Sequence, residues 1–253
     1  MTNLQKANVG KRIIAAVFDG IMLSIVAVAF ATLFSYVFGY DTYMKTVDDA
    51  YATYESTYGV KFEISQQEYE ALNQTQRENY DTAYQALSKD EAVVYAYNML
   101  INLTMVILTL SVLLGVVLVE FVVPLLFGNG RTLGKAIFGI AVMHVEGIRI
   151  NNLQLFTRTV LGKFALELMI PLSVVMMIFF NAVGIFGLGV LLVLVVAQII
   201  CLVSTRNFSL LHDVMAGTVV VDFASQRIFD STEELLAYKQ RVHAEAAEQA
   251  EHR

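Results

Sequence analysis

Apolar residues run along this chain in long blocks. A helix needs roughly 20 mainly apolar residues to cross about 30 Å of hydrocarbon. One block runs from Ile13 to Phe38, interrupted by Asp19; another runs from Met99 to Phe127, interrupted by Glu120. Leu168 to Thr205 carries no charge at all. As one helix those residues would reach about 57 Å, far too long for a single span. Asn181, Gly184, Gly187 and Gly189 cluster near the middle of this block and supply helix ends and a tight turn. The pattern therefore predicts four spans, near 13–38, 98–127, 160–181 and 185–204.

The polar stretches predict smaller elements. Ser65 with Glu68, and Ser88 with Glu91, have the spacing of capping boxes. Tyr69, Leu72, Tyr80, Tyr84 and Leu87 recur at roughly helical spacing. One amphipathic helix is expected there, followed by a long helix rising from near Lys89. Its simplest use is a cap packed on itself; the sharper one is a docking or gating surface. Thr132 is placed to cap a short helix running through Gly139. Alternation from Ala141 to Asn151 around Glu146-Gly147 predicts a hairpin, with Thr218 to Phe223 as a third strand. Ser231-Thr-Glu-Glu234 opens a charged helix to about Ala250.

Composition agrees with a lipid solvent. Of the 253 residues 57% are hydrophobic and 16% charged, against about 25% charged in an ordinary soluble domain. Lys6, Lys11 and Arg12 precede the first block as in a signal peptide, but the block is too long for one and no clean cleavage site follows, so an uncleaved anchor is expected. Cys201 is the single cysteine and forms no internal disulfide.

The net charge of -6 hides a segregation. Thirteen of the seventeen Lys and Arg lie in the N-terminus, in 128–163 or after Ser204; the 40–97 loop holds four of them with eleven acids. Basic residues favour cytoplasmic loops, so both termini are expected inside and the acidic loop outside. Tyr36, Tyr40, Tyr43, Tyr95 and Tyr97 flank the outer ends of the first two spans as an interfacial belt.

Charges inside spans are costly and normally face a partner or water. Asp19 follows Arg12 by seven residues, which places both on one helix face about 10 Å apart along the axis. A water or third group is needed between them. Glu120 lies toward the inner end of the second span and is read as snorkelling or hydrogen-bonded; Glu167 lies four residues after Lys163 and is read as its partner. The alternative for these acids is a proton or cation site. Burial raises a carboxylate's proton affinity and a nearby cation lowers it, so the sequence leaves the balance open. His144, His212, His243 and His252 make no metal pattern, and His212 beside Asp213 has no nucleophile placed by motif. Neither an enzyme nor a nucleic-acid partner is expected.

Three local patterns together resemble the RDD family of bacterial multi-pass membrane proteins, named for one Arg and two Asp. Lys11-Arg12 followed by Asp19 is the first. The second is Arg131-Thr132-Leu133-Gly134-Lys135 with Gly139 and Val142, similar to T-x-G-K-x-x-x-G-x-x-V. Leu211-His212-Asp213, then Ala216-Gly217-Thr218 and Val220, resembles L-H-D-x-x-A-G-T-x-V. The match covers about 9–223. Two features depart from it: the 40–97 insert is long, and Ser209-Leu210 stand where relatives resemble R-x-L-H-D, with Arg206 the nearest cation.

The resemblance implies an all-α, four-helix transmembrane bundle. The residue patterns add an extracytoplasmic helical insert at 40–97, small cytoplasmic juxtamembrane helix and β-hairpin elements, and a C-terminal helical tail at 224–253. The resemblance further implies a bacterial cytoplasmic membrane protein that moves small ions or solutes, with cation/proton exchange as one form. The expected polar cluster is Arg12, Asp19 and Asp213, supported by Lys135, Gly134, Gly139, Glu120 and Glu167. Lys135 is expected to face lipid phosphates or a carboxylate. No cofactor or metal is expected; the expected partners are membrane lipid, a small cation or proton, and further copies of the chain, because four helices make a narrow bundle. A scaffold that recruits partners through 40–97 or the C-terminal helix is the other reading.

Overall fold

The computed structural model describes residues 5–179, 184–205 and 207–251. Four helices are long and apolar enough to cross a membrane: Val9–Val37, Glu91–Phe127, Asn152–Phe179 and Phe186–Ser204. They begin earlier than hydropathy predicts at the first three positions, because polar residues extend each helix beyond its apolar block. Their apolar side chains turn outward. Ile13, Val17, Ile21 and Ile25 are each more than half exposed on one flank of the first span, as lipid-facing positions are. The fourth helix starts at Gly184, so Gly187 and Gly189 lie inside it rather than in the turn expected of them. Asn181 lies outside the described residues, as do Arg206 and His252.

The chain forms two compact units, one of residues 28–111 and one of residues 1–27 with 112–253. In the 28–111 unit, a helix over Tyr40–Tyr58 that the sequence reading had not placed begins after Gly39 and ends at Gly59, both left-handed. Two helices, Gln66–Ala71 and Gln74–Lys89, replace the single one expected. The Ser65–Glu68 capping box is present, and a second box of Asn73 and Gln76 starts the next helix. The Ser88–Glu91 box does not form. The helix continues through Ser88 to Lys89, and Asp90 Oδ1 instead accepts the N–H groups of Ala92 and Val93. Phe62, Ala83, Leu87 and Val93 make this unit's core, with Tyr54, Tyr58 and Tyr80 against it.

In the other unit, two five-residue strands pair antiparallel, β1 (Ile140–His144) and β2 (Thr218–Asp222), with Val142 opposite Val220. The expected local hairpin is reduced to one bridge, Met143 to Arg149. The reason is burial on both faces. Ile140 and Val142 pack with Ala7, Ala15 and Val220, while Ala141 and Met143 pack with Val219 and Val221. The valine run of β2 supplies apolar side chains to both faces, whereas the return after Gly147, Ile148-Arg149-Ile150, bridges on to Phe229. Lys6 bridges to Val221 on β2. A short helix over Leu211–Ala216 stops at left-handed Gly217 and leads straight into β2.

Candidate functional site

A cleft of about 860 Å³ lies among the first span, the ends of the second, third and fourth, and the short helices beside β1 and β2. Four cations line it, Arg12, Lys135, Arg158 and Lys163, and so do four acids, Asp19, Glu120, Glu167 and Asp213, together with His212.

Asp19 and Glu120 anchor one arm. Thr132 caps the helix Leu133–Ile137 by accepting the Lys135 N–H, as its position predicts, and its hydroxyl donates to Asp19 Oδ2. The Gly134 N–H donates to Asp19 Oδ1 at 2.8 Å. A Cβ at Gly134 would sit 2.4 Å from the Ala15 carbonyl oxygen, so only glycine lets this helix start close enough to the first span to serve Asp19. Lys135 is buried; its Nζ lies 3.2 Å from the Thr132 hydroxyl, 3.9 Å from Asp19 Oδ2 and 3.6 Å from Glu120 Oε2. Of the two partners expected for Lys135, carboxylate is the one present. Lys163 Nζ donates to Glu120 Oε1 at 2.6 Å.

Asp213 anchors the other arm. Arg158 grips Asp213 Oδ1 through Nε at 2.9 Å and Nη2 at 2.8 Å, and the Thr218 hydroxyl adds a bond at 3.2 Å. Arg12 Nη2 stands 3.8 Å from Asp213 Oδ2, and Arg12 Nη1 donates to the Asn207 carbonyl. The Leu211–Ala216 helix has no side-chain N-cap of its own. Gln198 accepts the Leu211 N–H and Glu167 accepts the His212 N–H, so polar residues of two spans satisfy its free donors. The His212 ring lies between Glu167 (Nδ1 to Oε2, 2.8 Å) and Arg158 (Nε2 to Nη2, 3.2 Å). A neutral ring protonated on Nδ1 satisfies both contacts.

Burial pushes the Asp213 carboxyl up, but the Arg158 and Arg12 guanidiniums outweigh it and hold it well below the usual carboxylate range. Burial lowers His212, against Asp213 and Glu167, and keeps it neutral. Lys135 is pushed down to about 8, by burial first and then by Lys163 and Arg158, while Glu120 and Asp19 oppose the shift.

Arg12, Asp19 and Asp213 all line the cleft. Within it Thr132 and Gly134 engage Asp19, while Arg12 lies beside Asp213. Glu167 pairs with His212 rather than Lys163, which is drawn to Glu120 instead. Gly139 stays out of the cluster: it turns the chain with φ 66° between the short helix and β1. His144 sits by Glu146, apart from the cleft lining. Arg158 was missed, having been counted only as a cytoplasmic charge. It reaches Asp213 from 55 residues earlier in the chain. Among the described residues no three His, Cys, Asp or Glu side chains are grouped to hold a metal ion.

Both spans that carry partners for these acids are locally wound as π-helix, over Val117–Val122 around Glu120 and over Thr157–Met169. Bonding from i to i+5 brings residues five apart, such as Arg158 and Lys163, toward one face. Gly162 lies between them; a Cβ there would come 2.6 Å from His212 Cβ, so this helix and Leu211–Ala216 meet at backbone distance.

Residues 6–217 match the RDD family. No curated protein and no solved structure matches the chain.

Proposed function

This chain belongs to the RDD family, a family of membrane proteins, and on that premise we propose that it moves a small cation or solute across a membrane in exchange for protons. The observation that supports this is a single one: Lys135, buried, lies between Asp19 and Glu120 in the cleft, where burial pushes its proton affinity down to about 8. A cation entering beside those carboxylates takes over the charge of Lys135, and the lysine releases a proton. Asp213 is held tightly by Arg158 and serves as the fixed part of the site. In this reading the chain is not an enzyme; the His212 ring has both nitrogens engaged. The membrane is a bacterial cytoplasmic one with both termini inside, as the Lys and Arg distribution suggests, and the chain works as a homo-oligomer whose copies enclose the path.

Purified protein in liposomes tests the exchange through cation-driven proton flux. Flux in the wild type that is lost in Asp19→Asn, with folding retained, is the expected result. Unaltered flux in Asp19→Asn removes that carboxylate from the mechanism. A scaffold role is the second reading, favoured by the self-packed 28–111 unit with its exposed Tyr51 and Tyr84. Deletion of 45–90 that abolishes a phenotype while flux is unchanged would favour it.

A further inference from the structure

Phe62 holds a row of tyrosines together in the 28–111 unit. Tyr51, Tyr80 and Tyr84 meet its ring edge to face, with centroids at 5.4, 5.7 and 6.5 Å. Tyr69 extends the row from Tyr80 at 5.2 Å. Tyr97 belongs to it as well. Burial first, then the nearby Tyr84, Tyr97 and Tyr80 hydroxyls, raise the Tyr51 phenol above its ordinary value.

The two ends of the row differ. At one end the chain serves itself: the Arg77 guanidinium lies 5.3 Å over the Tyr69 ring, and the Tyr69 and Tyr80 hydroxyls donate to Asp81 and to the Phe62 carbonyl. At the other end Tyr51, Tyr84 and Tyr97 are 38%, 56% and 56% exposed. Among the described residues no Lys or Arg stacks on these three rings, and their hydroxyls make no bond within the chain. The charge around them is one-sided. The unit carries eleven Asp and Glu against four Lys and Arg, a net charge of -7. Among the described residues none of those acids forms an ion pair. Asp48 and Glu55 stand one turn to either side of Tyr51 on its helix.

We propose that this face docks an arginine-bearing, net-basic segment of another protein, its guanidiniums stacking on Tyr51, Tyr84 and Tyr97. Exposed tyrosines supply large, rigid contact area at low conformational cost. A guanidinium stacks on an aromatic face, and Arg77 on Tyr69 shows that contact in the same row. The unpaired acids draw a basic partner and repel an acidic one. They also disfavour a second copy of this unit, which would bring the same negative charge against them.

The docking rests on the scaffold reading, for which it names the partner class, and its test is binding. The probe is a fluorescent, unstructured glycine-serine peptide bearing several arginines. It is titrated by anisotropy against the full chain in phosphatidylcholine nanodiscs, with empty nanodiscs as the blank. The comparison peptide carries citrulline at each arginine, with the same shape and no charge. Saturable binding of the arginine peptide, at least about tenfold tighter than the citrulline one, is expected. The double variant Tyr84→Leu with Tyr97→Leu keeps apolar bulk but loses two ring faces. It should weaken the arginine peptide about tenfold with thermal unfolding unchanged, as two exposed stacks supply. Asp48→Lys reverses one charge at an exposed position beside Tyr51 and should weaken it about threefold; it decides the matter if the double variant does not fold. Equal binding of the two peptides, or undiminished binding in the variants, overturns the proposal. The competing occupant is the membrane surface. A nitroxide attached at Tyr84→Cys, with Cys201→Ser, should be reached by a water-soluble nickel chelate more than by dissolved oxygen. The reverse puts the face in lipid and overturns the docking. Loss of a phenotype on deletion of 45–90, without arginine-peptide binding, keeps the scaffold reading and removes this partner. Peptide binding with no phenotype on deletion keeps the docking face and removes the scaffold role.

Discussion

Polar groups in the 28–111 unit and polar groups around the cleft are both well bonded, yet they find their partners at very different ranges. In the first, Glu68 meets Ser65 and Gln76 meets Asn73, three residues apart and exposed. Around the cleft, Asp19 meets Thr132 across 113 residues, Asp213 meets Arg158 across 55, and Glu120 meets Lys163 across 43, all buried or partly so. Water supports the first group if a bond is lost. Around the cleft an oxygen stripped of its partner has nowhere to turn, and the cost of breaking a pair rises accordingly.

That difference sets an order of effects. Arg158→Met leaves the Asp213 charge buried with the Thr218 hydroxyl and Arg12 at 3.8 Å, and should cost about 3–5 kcal/mol, read as lost folded protein on detergent-solubilised size exclusion. Adding Asp213→Leu to it should recover much of the loss, since removing both charges is milder than stranding one. A double variant as unstable as the single one would mean that Asp213 does more than balance Arg158. Gly134→Val drives a side chain into the Ala15 carbonyl and should cost about 1–3 kcal/mol as an overpacked contact, measured by thermal unfolding. In the 28–111 unit, Asn73→Ala removes one cap and should cost about 1 kcal/mol; a loss as large as that of Arg158→Met would erase the contrast between the units.

Acid gives the smallest and most graded effect. His212 is lowered in the fold, so as pH falls through its ordinary value near 6.5 the unfolded chain takes up a proton that the folded one refuses, and stability declines. Asp213 is lowered too; its contribution is present above its ordinary value near 3.8 and is lost as pH falls below it. Melting temperature should slope gently downward from pH 7 to 5 and steeply below 4. His212→Gln should flatten the upper slope alone.

Range also explains what the sequence reveals. Spans are written in consecutive residues, and the Ser65–Glu68 box and the Thr132 cap are local, so all of these are legible. The Tyr40–Tyr58 helix was legible as well: Tyr40, Tyr43, Val47, Tyr51, Tyr54 and Tyr58 recur at helical spacing. Treating tyrosines there as an interfacial belt concealed it. The cleft is different. Arg12, Asp19 and Asp213 stand out through their motifs, but which cation meets which acid depends on how separate helices pack. Placing Arg12 and Asp19 on one helix face about 10 Å apart called for a third group, but the faces alone did not name Thr132 and Gly134, which reach Asp19 because Gly134 admits a second helix end against the first span. Arg158 carries no local mark, and the π winding that aligns it with Lys163 leaves no periodicity an α-helical reading would catch. The strand at Thr218–Asp222 was legible as an addition to the sheet; that it pairs directly with β1, more than seventy residues earlier, in place of the local hairpin was not.

The central claim is that Lys135 is a buried, exchangeable cation between Asp19 and Glu120. Nitrogen NMR of Lys135, assigned by comparison with Lys135→Arg, tests it through the pH dependence of its side-chain signal in nanodiscs. The account predicts a midpoint near 8 that falls further in Glu120→Gln, where a carboxylate that supports the charged form is gone. A midpoint above 10, unmoved by Glu120→Gln, would be that of an ordinary solvated lysine and would contradict it.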